Sequence, residues 1–130
     1  MIKIKIVTPN GVYDELEASQ INLRCTDVDR GLLPNHMPIV FMLEISRLEL
    51  IINGKRKQYS IAGGMLYFEN NFATILVDAI ESQEDIDVER AKAAKERAEG
   101  RINGKDPNID LKRAEIALHR ALNRLSVSSY

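Results

Sequence analysis

"FATILVDAIESQEDIDVERAKAAKERA", residues 72–98, contains the point at which the pattern of the chain changes. Up to about residue 80, apolar residues alternate with polar ones or form short runs, which is typical of β-strands. From about Ser82 the apolar residues recur with a period near 3.6, and "SQED" fits the Ser/Thr-x-x-Asp/Glu signal of a helix start, with Asp87 as a second candidate N-cap. The pattern predicts an α+β fold with a β domain at residues 1–84 and a helical domain at residues 85–130.

The β domain is predicted from short apolar segments that follow one another at regular spacing. "IKIKIV" at 2–7 alternates strictly, and the runs "IVFML", "LELII", "QYSIA" and "MLYFE" have the length of strands. Asn53-Gly54 separates two of these runs and indicates a hairpin turn. Gly63-Gly64 is followed by alternation instead of a helix, which favours a bend over a phosphate loop. About eight to ten short strands in the first 80 residues predict a β-sandwich or barrel.

The helical domain is predicted to contain two similar helices. "IDVERAKAAKERA" at 86–98 and "IDLKRAEIALHRA" at 109–121 match at seven positions without a gap, and "NGKDPN" at 103–108 lies between them as a turn. The repeat predicts an αα-hairpin with small residues at a close helix contact. A fuller apolar stripe is expected on the second helix: Leu111, Ala114, Leu118, Ala121, Leu122, Leu125.

Composition excludes several classes of function. A net charge of −1 argues against a dedicated nucleic-acid binder, and apolar runs of about five residues predict no membrane span. The N-terminus has no apolar signal core, so the cytoplasm is the default location. One cysteine and two histidines are too few for a structural zinc site, and Cys25 alternates with apolar residues as a buried strand thiol would. His36, in "GLLPNHMPIV" (31–40), has no recognisable nucleophile partner and is expected to pack or hydrogen-bond locally. No convincing catalytic constellation is found in the sequence.

The arginines of the predicted hairpin permit two interpretations. An antiparallel hairpin about the "NGKDPN" turn brings Arg120 level with Arg90, and Arg124 level with Ile86 and Asp87. In the first interpretation the arginines form a solvated face and pair at helical spacing with nearby glutamates, Glu89, Glu96, Glu99 and Glu115. In the second they form an anion clamp, since guanidinium groups can each donate two hydrogen bonds to a polyphosphate. Without a Gly-rich phosphate loop or metal-binding carboxylates, such a clamp would bind a nucleotide without hydrolysing it.

The first helix is also predicted to dock weakly. Its apolar residues are mostly alanines, whose burial contributes little, and Gly100 is a candidate end for the helix. An element of this kind can dock or detach at modest free energy, as a conformational switch requires.

From end to end the chain resembles the epsilon subunits of bacterial F-type ATP synthases. "LLPNHMP" (32–38) is similar to the family's Leu-Pro-Gly-His-x-Pro loop, and "AGGMLYF" (62–68) to its Gly-Gly strand entry. "IDVERAKAAKERAE" (86–99) and "KRAEIALHRALNRL" (112–125) resemble its two C-terminal helices over long ungapped stretches. Asn35 stands where the family loop usually has Gly, and Asn tolerates the left-handed backbone that such a turn needs.

The resemblance implies a ten-stranded β-sandwich followed by a helical hairpin. It implies a non-catalytic rotor subunit that binds the gamma subunit and the c-subunit ring, at the cytoplasmic face of the bacterial cell membrane and without membrane insertion. It also implies a mobile hairpin that inhibits ATP hydrolysis when extended into the alpha/beta catalytic hexamer. The family's contact with the rotor maps here onto Asp29, Arg30, Asn35 and His36.

In Bacillus-like members of that family, ATP binds the folded hairpin as a regulatory ligand, with no metal required. The ATP-binding pattern maps onto positions with matching residue types: Glu81, Ile86, Asp87, Arg90, Ala91, Arg97, Arg120 and Arg124. The resemblance implies adenosine contacts from Ile86, Asp87 and Ala91 and phosphate contacts from the arginines. Two alternatives stay open: a structural coupling subunit that binds no nucleotide, and a free-standing nucleotide-sensing module.

Overall fold

The computed structural model describes the backbone of residues 1–25, 28–104 and 107–129, and the side chains of the same residues except 25 and 28. The predicted burial of Cys25 therefore lies outside the described side chains. The chain forms two compact units, Met1–Gln83 and Glu84–Tyr130. The sequence pattern placed the boundary one residue later, after Glu84.

Eight strands are described in the first unit. They are β1 (Ile2–Thr8), β2 (Gly11–Ala18), β3 (Gln20–Cys25), β4 (Val28–Leu32), β5 (Ile39–Ile52), β6 (Lys55–Glu69), β7 (Phe72–Val77) and β8 (Ile80–Ser82). They form one continuous sheet in the order β2-β1-β7-β6-β5-β3-β4, and β8 pairs with β6 beside this path. The β1–β7 pair is parallel and the other pairs are antiparallel.

The two longest strands turn this sheet into a sandwich. β5 and β6 pair from Ile39 opposite Phe68 to Ile52 opposite Lys55. At one end β6 also pairs with β7, and at the other end with β8, while β5 pairs with β3. Because the two halves of each long strand have different neighbours, they belong to different layers, and the apolar core lies between the layers.

β6 passes between the layers at Gly63-Gly64, where φ is 95° and 153°. A Cβ atom at Gly64 would lie 2.0 Å from the carbonyl oxygen of Leu76 in β7. Only glycine permits so close an approach of two backbones. The prediction of a bend at this position is confirmed.

Alternation within the strands decides which side chains enter the core. Ile2, Ile4 and Ile6 are at most 2% exposed, while Lys3 and Lys5 of the same strand point outward. Tyr59 and Phe68 of β6 are the largest fully buried side chains and fill the space between the layers. The half-buried strand predicted from "IKIKIV" is confirmed.

Asparagines in left-handed conformations form the tight turns. Asn53 and Gly54 have φ of 52° and 77°, and Asn70 and Asn71 have φ of 52° and 59°. Two consecutive residues with positive φ are the signature of the type I′ hairpin turn, whose twist matches that of the paired strands. The hairpin predicted at Asn53-Gly54 is confirmed.

The α+β class is confirmed, but the strand count of ten is not reached among the described residues. Two predicted pairs of strands, "IVFML" with "LELII" and "QYSIA" with "MLYFE", are continuous as β5 and β6. The sequence pattern predicts two strands for each long one, because the apolar pattern is interrupted where the strand crosses from one layer to the other.

In the second unit, a 3-10 turn at Gln83–Asp85 precedes α1 (Val88–Asn103) and α2 (Leu111–Ser128). Asp87 and Asp110 are the N-caps, so of the two start signals the one at Asp87 begins the α-helix. The expectation that Gly100 ends the first helix is wrong, since α1 continues to Asn103. Arg101 therefore lies within the helix.

Candidate anion-binding face of the helical hairpin

The two helices begin with the same local structure. The Asp87 carboxylate accepts a hydrogen bond from the backbone N–H of Arg90 at 3.0 Å, and the Asp110 carboxylate accepts one from that of Arg113 at 3.1 Å. Each bond satisfies one of the N–H groups that a helix leaves unpaired at its start. Both repeats therefore place an arginine in the first turn, beside the capping aspartate.

Alanines form the contact between the helices. Ala91 and Ala98 of α1 and Ala114 and Ala121 of α2 are at most 3% exposed. The helices pack against each other and are joined by the short segment 104–110, so they run antiparallel. From their burial we infer that the alanines meet as two level pairs, Ala91 with Ala121 and Ala98 with Ala114. We call this contact the alanine seam.

The buried alanines bear on two expectations. Ala114 and Ala121 of the predicted α2 stripe are buried, and Leu118 and Leu125 are half-buried, whereas Leu111 and Leu122 are 51% and 43% exposed, so the stripe holds except at these two leucines. The inferred pairs place Arg120 within about 3 Å of the level of Arg90 along the helix axis, close to the expected register. Arg120 lies level with Lys92, one half-turn beyond Arg90. Large side chains are excluded from the seam because a contact between alanines brings the helix axes to roughly 8 Å.

All arginines of the second unit share one face of the hairpin. At 3.6 residues per turn, Arg90, Arg97 and Arg101 lie roughly 70–110° round α1 from the buried alanines, all in the same direction. The repeat gives α2 the same relation between its alanines and its three arginines: Arg113, Arg120 and Arg124. Two antiparallel helices that meet through equivalent seams are related by a two-fold axis perpendicular to their plane. Equivalent sides of the two helices therefore form one face, which we call the arginine face.

Along the arginine face the six side chains fall into two groups. The open-end cluster comprises Arg90, Arg120 and Arg124, whose levels lie within about 6 Å along the axis. The turn-end cluster comprises Arg97, Arg101 and Arg113, within the same span. Arg97, predicted as part of the ATP site, belongs by its level to the turn-end cluster, about 7.5 Å from the level of Arg120.

Two lysines of α1 form ion pairs with glutamates of the same helix. Lys92 pairs with Glu89 and Lys95 with Glu99, each at 3.8 Å. Both lysines lie on the side of the seam opposite the arginine face. Among the described residues no ion pair involves the exposed arginines: Arg90, Arg97, Arg101, Arg113 and Arg120. Arg124 is half-buried. For these five arginines, neutralisation by neighbouring glutamates is therefore not the arrangement among the described residues.

The remaining residues predicted for the ATP site are divided between the units. Ile86 and Ala91 are buried, at 8% and 1% exposure, and Asp87 is exposed at the helix start. Glu81 belongs to the first unit, in β8, where it is half-buried and paired with Ser60 across the sheet. Sequence reasoning did not assign Arg101 and Arg113 to a site, although the internal repeat contains the signal for both.

The predicted rotor-contact residues lie on and after β4. Asp29 and Arg30 are strand residues and are exposed; Asp29 pairs with Arg24 at 3.9 Å, and the Arg30 guanidinium lies 5.8 Å from the centre of the Phe41 ring. Since both partners of the ion pair are exposed, it contributes little to stability. These two residues belong to the sheet edge and not to the loop.

Asn35 and His36 form an ordered turn. Asn35 has φ of 66°, and its side chain and that of Asn71 are hydrogen-bonded, with Asn71 Nδ2 donating to Asn35 Oδ1 at 3.0 Å. His36 Nδ1 lies 2.8 Å from the carbonyl oxygen of Met37, and its ring meets the Phe68 ring edge-on at 6.1 Å. The expectation that His36 packs and hydrogen-bonds locally is confirmed.

One outer surface of the sandwich is unusually apolar. Val40 and Met42 of β5 are 50% and 66% exposed, and Tyr67 of β6 and Leu76 of β7 are 44% and 39% exposed. The register places Val40 opposite Tyr67, and Met65 opposite both Met42 and Leu76, so these side chains form one patch. We call it the outer apolar face. These side chains make the outer apolar face a candidate interaction surface.

Tyr67 carries the one resolved pKa shift at this face. Its hydroxyl donates a hydrogen bond to the Glu69 carboxylate at 2.9 Å. This bond and the negative charge of Glu69 raise the pKa of Tyr67, because both favour the neutral phenol.

The described residues contain neither a membrane-spanning helix nor a group of metal ligands. No helix in residues 1–25, 28–104 and 107–129 is both long and apolar enough to cross a membrane. Within the same residues, no group of three or more His, Cys, Asp or Glu side chains is placed to hold a metal ion.

Comparison with protein families identifies both units. Residues 1–83 match the model of the β-sandwich domain of the ATP synthase delta/epsilon chain. Residues 84–129 match the model of the long α-helix domain of the same chain. The chain belongs to the ATP synthase epsilon-chain family. The resemblance inferred from the sequence is confirmed.

Relatives named as ATP synthase epsilon chains match over nearly the full length. The chain of Bacillus velezensis is 41% identical, covering 98% of this chain and 96% of its own. The chain of Caldicellulosiruptor bescii is 42% identical, covering 97% of this chain and 92% of its own. Both of these relatives are named as chains of an ATP synthase.

A solved structure shares the fold of this epsilon-family chain. A chain in the cryo-EM structure of the Euglena gracilis mitochondrial ATP synthase, OSCP/F1/c-ring in rotational state 1, matches with a TM-score of 0.84 and 23% identity. The match covers 99% of this chain and 81% of the other. At this identity the likeness concerns the fold alone.

Proposed function

We propose that the chain is a non-catalytic rotor subunit in the central stalk of an F-type ATP synthase, coupling proton-driven rotation to ATP synthesis. Its hairpin binds ATP as a regulatory ligand while folded, with no metal required, and inhibits ATP hydrolysis when released. Membership of the epsilon-chain family supports the first part. The arginine face supports the second, because several guanidinium groups gathered from two helices suit a polyphosphate.

The strength of phosphate binding can be bounded from the exposure of the arginines. An exposed ion pair is worth about 0.5–1 kcal/mol, so three or four of them contribute about 2–4 kcal/mol. That corresponds to a dissociation constant in the millimolar range or weaker. Tighter binding needs contacts to the nucleoside. Asp87 is exposed, and its second carboxylate oxygen can accept a hydrogen bond from a nucleoside hydroxyl. Ile86 and Ala91, which the resemblance assigns to the nucleoside, are 8% and 1% exposed and must become accessible to contact it.

Glu81, assigned to the ATP site by resemblance, stays a prediction with a separate test. Glu81 and the arginines belong to different compact units. Removing its carboxylate in Glu81→Gln should weaken ATP binding if it contacts the nucleoside, and should leave binding unchanged if it serves the sandwich alone.

The alanine seam supports a hairpin that can open. Four buried methyl groups, at about 0.8 kcal/mol each, contribute about 3 kcal/mol to the contact between the helices. A ligand at ten to a hundred times its dissociation constant stabilises the state it binds by about 1.4–2.7 kcal/mol. Since the two free energies are similar, ATP at such concentrations can decide whether the hairpin stays folded.

The proposed partners are the gamma subunit, the c-subunit ring and, for the released hairpin, the alpha/beta catalytic hexamer. The outer apolar face is the proposed surface for gamma, and Asp29, Arg30, Asn35 and His36 are the proposed contacts with the rotor. Solved structures of similar fold carry titles that name F1 with the c-ring and the central stalk with the c-ring. The proposed location is peripheral, at the cytoplasmic face of the bacterial cell membrane.

Reassembly of the synthase tests the inhibitory role. Enzyme assembled with a chain truncated after Glu84 should hydrolyse ATP faster than enzyme with the full chain. Equal rates would refute inhibition by the hairpin. Co-purification of the full chain with gamma separates a rotor subunit from a free-standing nucleotide-sensing module, which would not be retained.

Calorimetric titration of the full chain with ATP tests the ligand. We expect one or more saturable binding steps, and loss of open-end binding in Arg120→Ala/Arg124→Ala. The matched control is Lys92→Ala/Lys112→Ala, which removes two positive charges from parts of the hairpin outside the arginine face. Absence of saturable heat, or equal binding in the arginine variant, would favour a structural coupling subunit that binds no nucleotide.

A further inference from the structure

The two-fold axis that relates the two helices also relates the residues assigned to the ATP site, and not only the alanines of the seam. A shift of 23 positions carries the segment from Ile86 to Ala91 onto the segment from Ile109 to Ala114 with the same types of residue at the Ile, Asp, Arg and Ala positions. It also carries Arg97 onto Arg120 and Arg101 onto Arg124. Because a two-fold rotation exchanges the two helices, it also carries Arg120 onto Arg97 and Arg124 onto Arg101. Every hairpin residue assigned to the ATP site therefore has a counterpart of the same type at the other end.

The structure preserves this duplication in its details. Both capping aspartates accept a hydrogen bond from the N–H three residues later, at 3.0 and 3.1 Å. The alanines that follow the first-turn arginines, Ala91 and Ala114, are 1% and 3% exposed. The match thus extends to the capping conformation and to the burial of these alanines, whereas Ile86 is buried and Ile109 half-buried.

The turn-end cluster is accessible. Arg97, Arg101 and Arg113 are exposed, and none of them forms an ion pair with any described residue. Arg101 owes its place to the helical conformation of Gly100, which keeps α1 regular to Asn103. Three positive charges within about 6 Å along the axis repel one another, and a bound polyanion would relieve that repulsion.

We infer that the turn-end cluster of Arg97, Arg101 and Arg113 is a second binding site for a triphosphate chain, equivalent by two-fold symmetry to the open-end cluster. The shared chemistry is that of a linear triphosphate, whether it belongs to a nucleotide or to inorganic polyphosphate. Arg97 and Arg120 lie nearest the axis and can serve either site, so the two sites interact. The inference rests on the proposed function for its anion chemistry, but on the repeat for its location.

Stoichiometry measured on the full chain tests the inference. Inorganic tripolyphosphate is titrated by calorimetry at low ionic strength, with ATP in a parallel series. The open-end variant is Arg90→Ala/Arg124→Ala, and the turn-end variant is Arg101→Ala/Arg113→Ala; both leave the shared arginines intact. The charge-matched control is Lys92→Ala/Lys112→Ala, with helix content followed by circular dichroism.

We expect two triphosphates per chain for the unaltered protein and the control, and one for each arginine pair variant. A turn-end step of equal affinity for tripolyphosphate and ATP identifies the phosphate chain as the recognised group. A tenfold preference for ATP shows that the nucleotide is the ligand at both ends.

Two other results would overturn the inference and are distinguishable. One triphosphate per chain, unaffected by the turn-end variant and lost in the open-end variant, refutes the second site while the proposed function stands. No saturable binding in any form refutes both. A variant that loses helix content is replaced by Arg101→Gln/Arg113→Gln, which keeps the length and hydrogen-bonding capacity of the side chains.

Discussion

Substitution of Ala98 by leucine tests whether the arginine face depends on the alanine seam. Ala98 is 2% exposed and lies level with Ala114, which is 3% exposed. Leucine adds three carbon atoms where the helix axes are only about 8 Å apart. Overpacking of this kind costs about 1–3 kcal/mol, against a seam worth about 3 kcal/mol. Ala98→Leu should therefore separate the helices without preventing either from forming.

The measured consequence is a loss of ATP affinity. Open-end arginines come from both helices, so spreading the helices separates Arg90 from Arg120 and Arg124. A penalty of 1–3 kcal/mol on the binding-competent state lowers the apparent affinity by about 5- to 150-fold. Calorimetric titration with ATP measures this, and circular dichroism confirms that helix content is retained.

His119→Leu is the control, since it places the same side chain at an exposed position of α2 outside both the seam and the arginine face. It should bind ATP as the unaltered chain does. If Ala98→Leu also binds ATP unchanged and melts at the same temperature, the seam does not organise the site, and the reasoning from burial to register is wrong.

Three further predictions concern single positions. Gly64→Ala should destabilise the sandwich by more than about 3 kcal/mol in denaturant unfolding, because the new Cβ would meet the Leu76 carbonyl at 2.0 Å; stability within 1 kcal/mol of the unaltered chain would contradict this. Gly100→Ala should stabilise the hairpin by about 0.5–1 kcal/mol, since no atom lies within 4 Å of the new methyl group; a lower melting temperature would count against a helical Gly100. Glu69→Gln should lower the pKa of Tyr67 toward its ordinary value, because the carboxylate that disfavours the phenolate is gone; an unchanged phenol titration by NMR would show that Glu69 is not the cause.

The fold was predictable where a residue pattern is typical of a single local structure. Asn53-Gly54 could be assigned to a hairpin turn because both positions need positive φ. Alternation in "IKIKIV" identified the buried side of β1, because successive side chains of a strand point to opposite faces. The continuity of β5 and β6 was not predictable, since a strand that changes layers also changes which of its residues face the core.

The candidate site was predictable only in part. The repeat indicated an antiparallel hairpin with small residues at the helix contact, and the burial of the four alanines agrees with this. The exposure of Leu111 and Leu122 was not expected, because the sequence pattern does not show how closely the two helices approach each other. Whether the glutamates pair with lysines or arginines depends on which side of the seam each occupies, and the pattern leaves both pairings open.

NMR titration of the arginine side chains with ATP tests the central claim most directly. The full chain is labelled with 15N, and the Nε–H signals are assigned by single Arg→Lys substitutions. The account predicts that the signals of Arg90, Arg120 and Arg124 shift in a saturable manner, while the backbone signals of Lys92, Lys95 and Lys112 on the remainder of the hairpin change little. Saturable shifts confined to the lysine side, or no shift of any hairpin arginine at millimolar ATP, would contradict it.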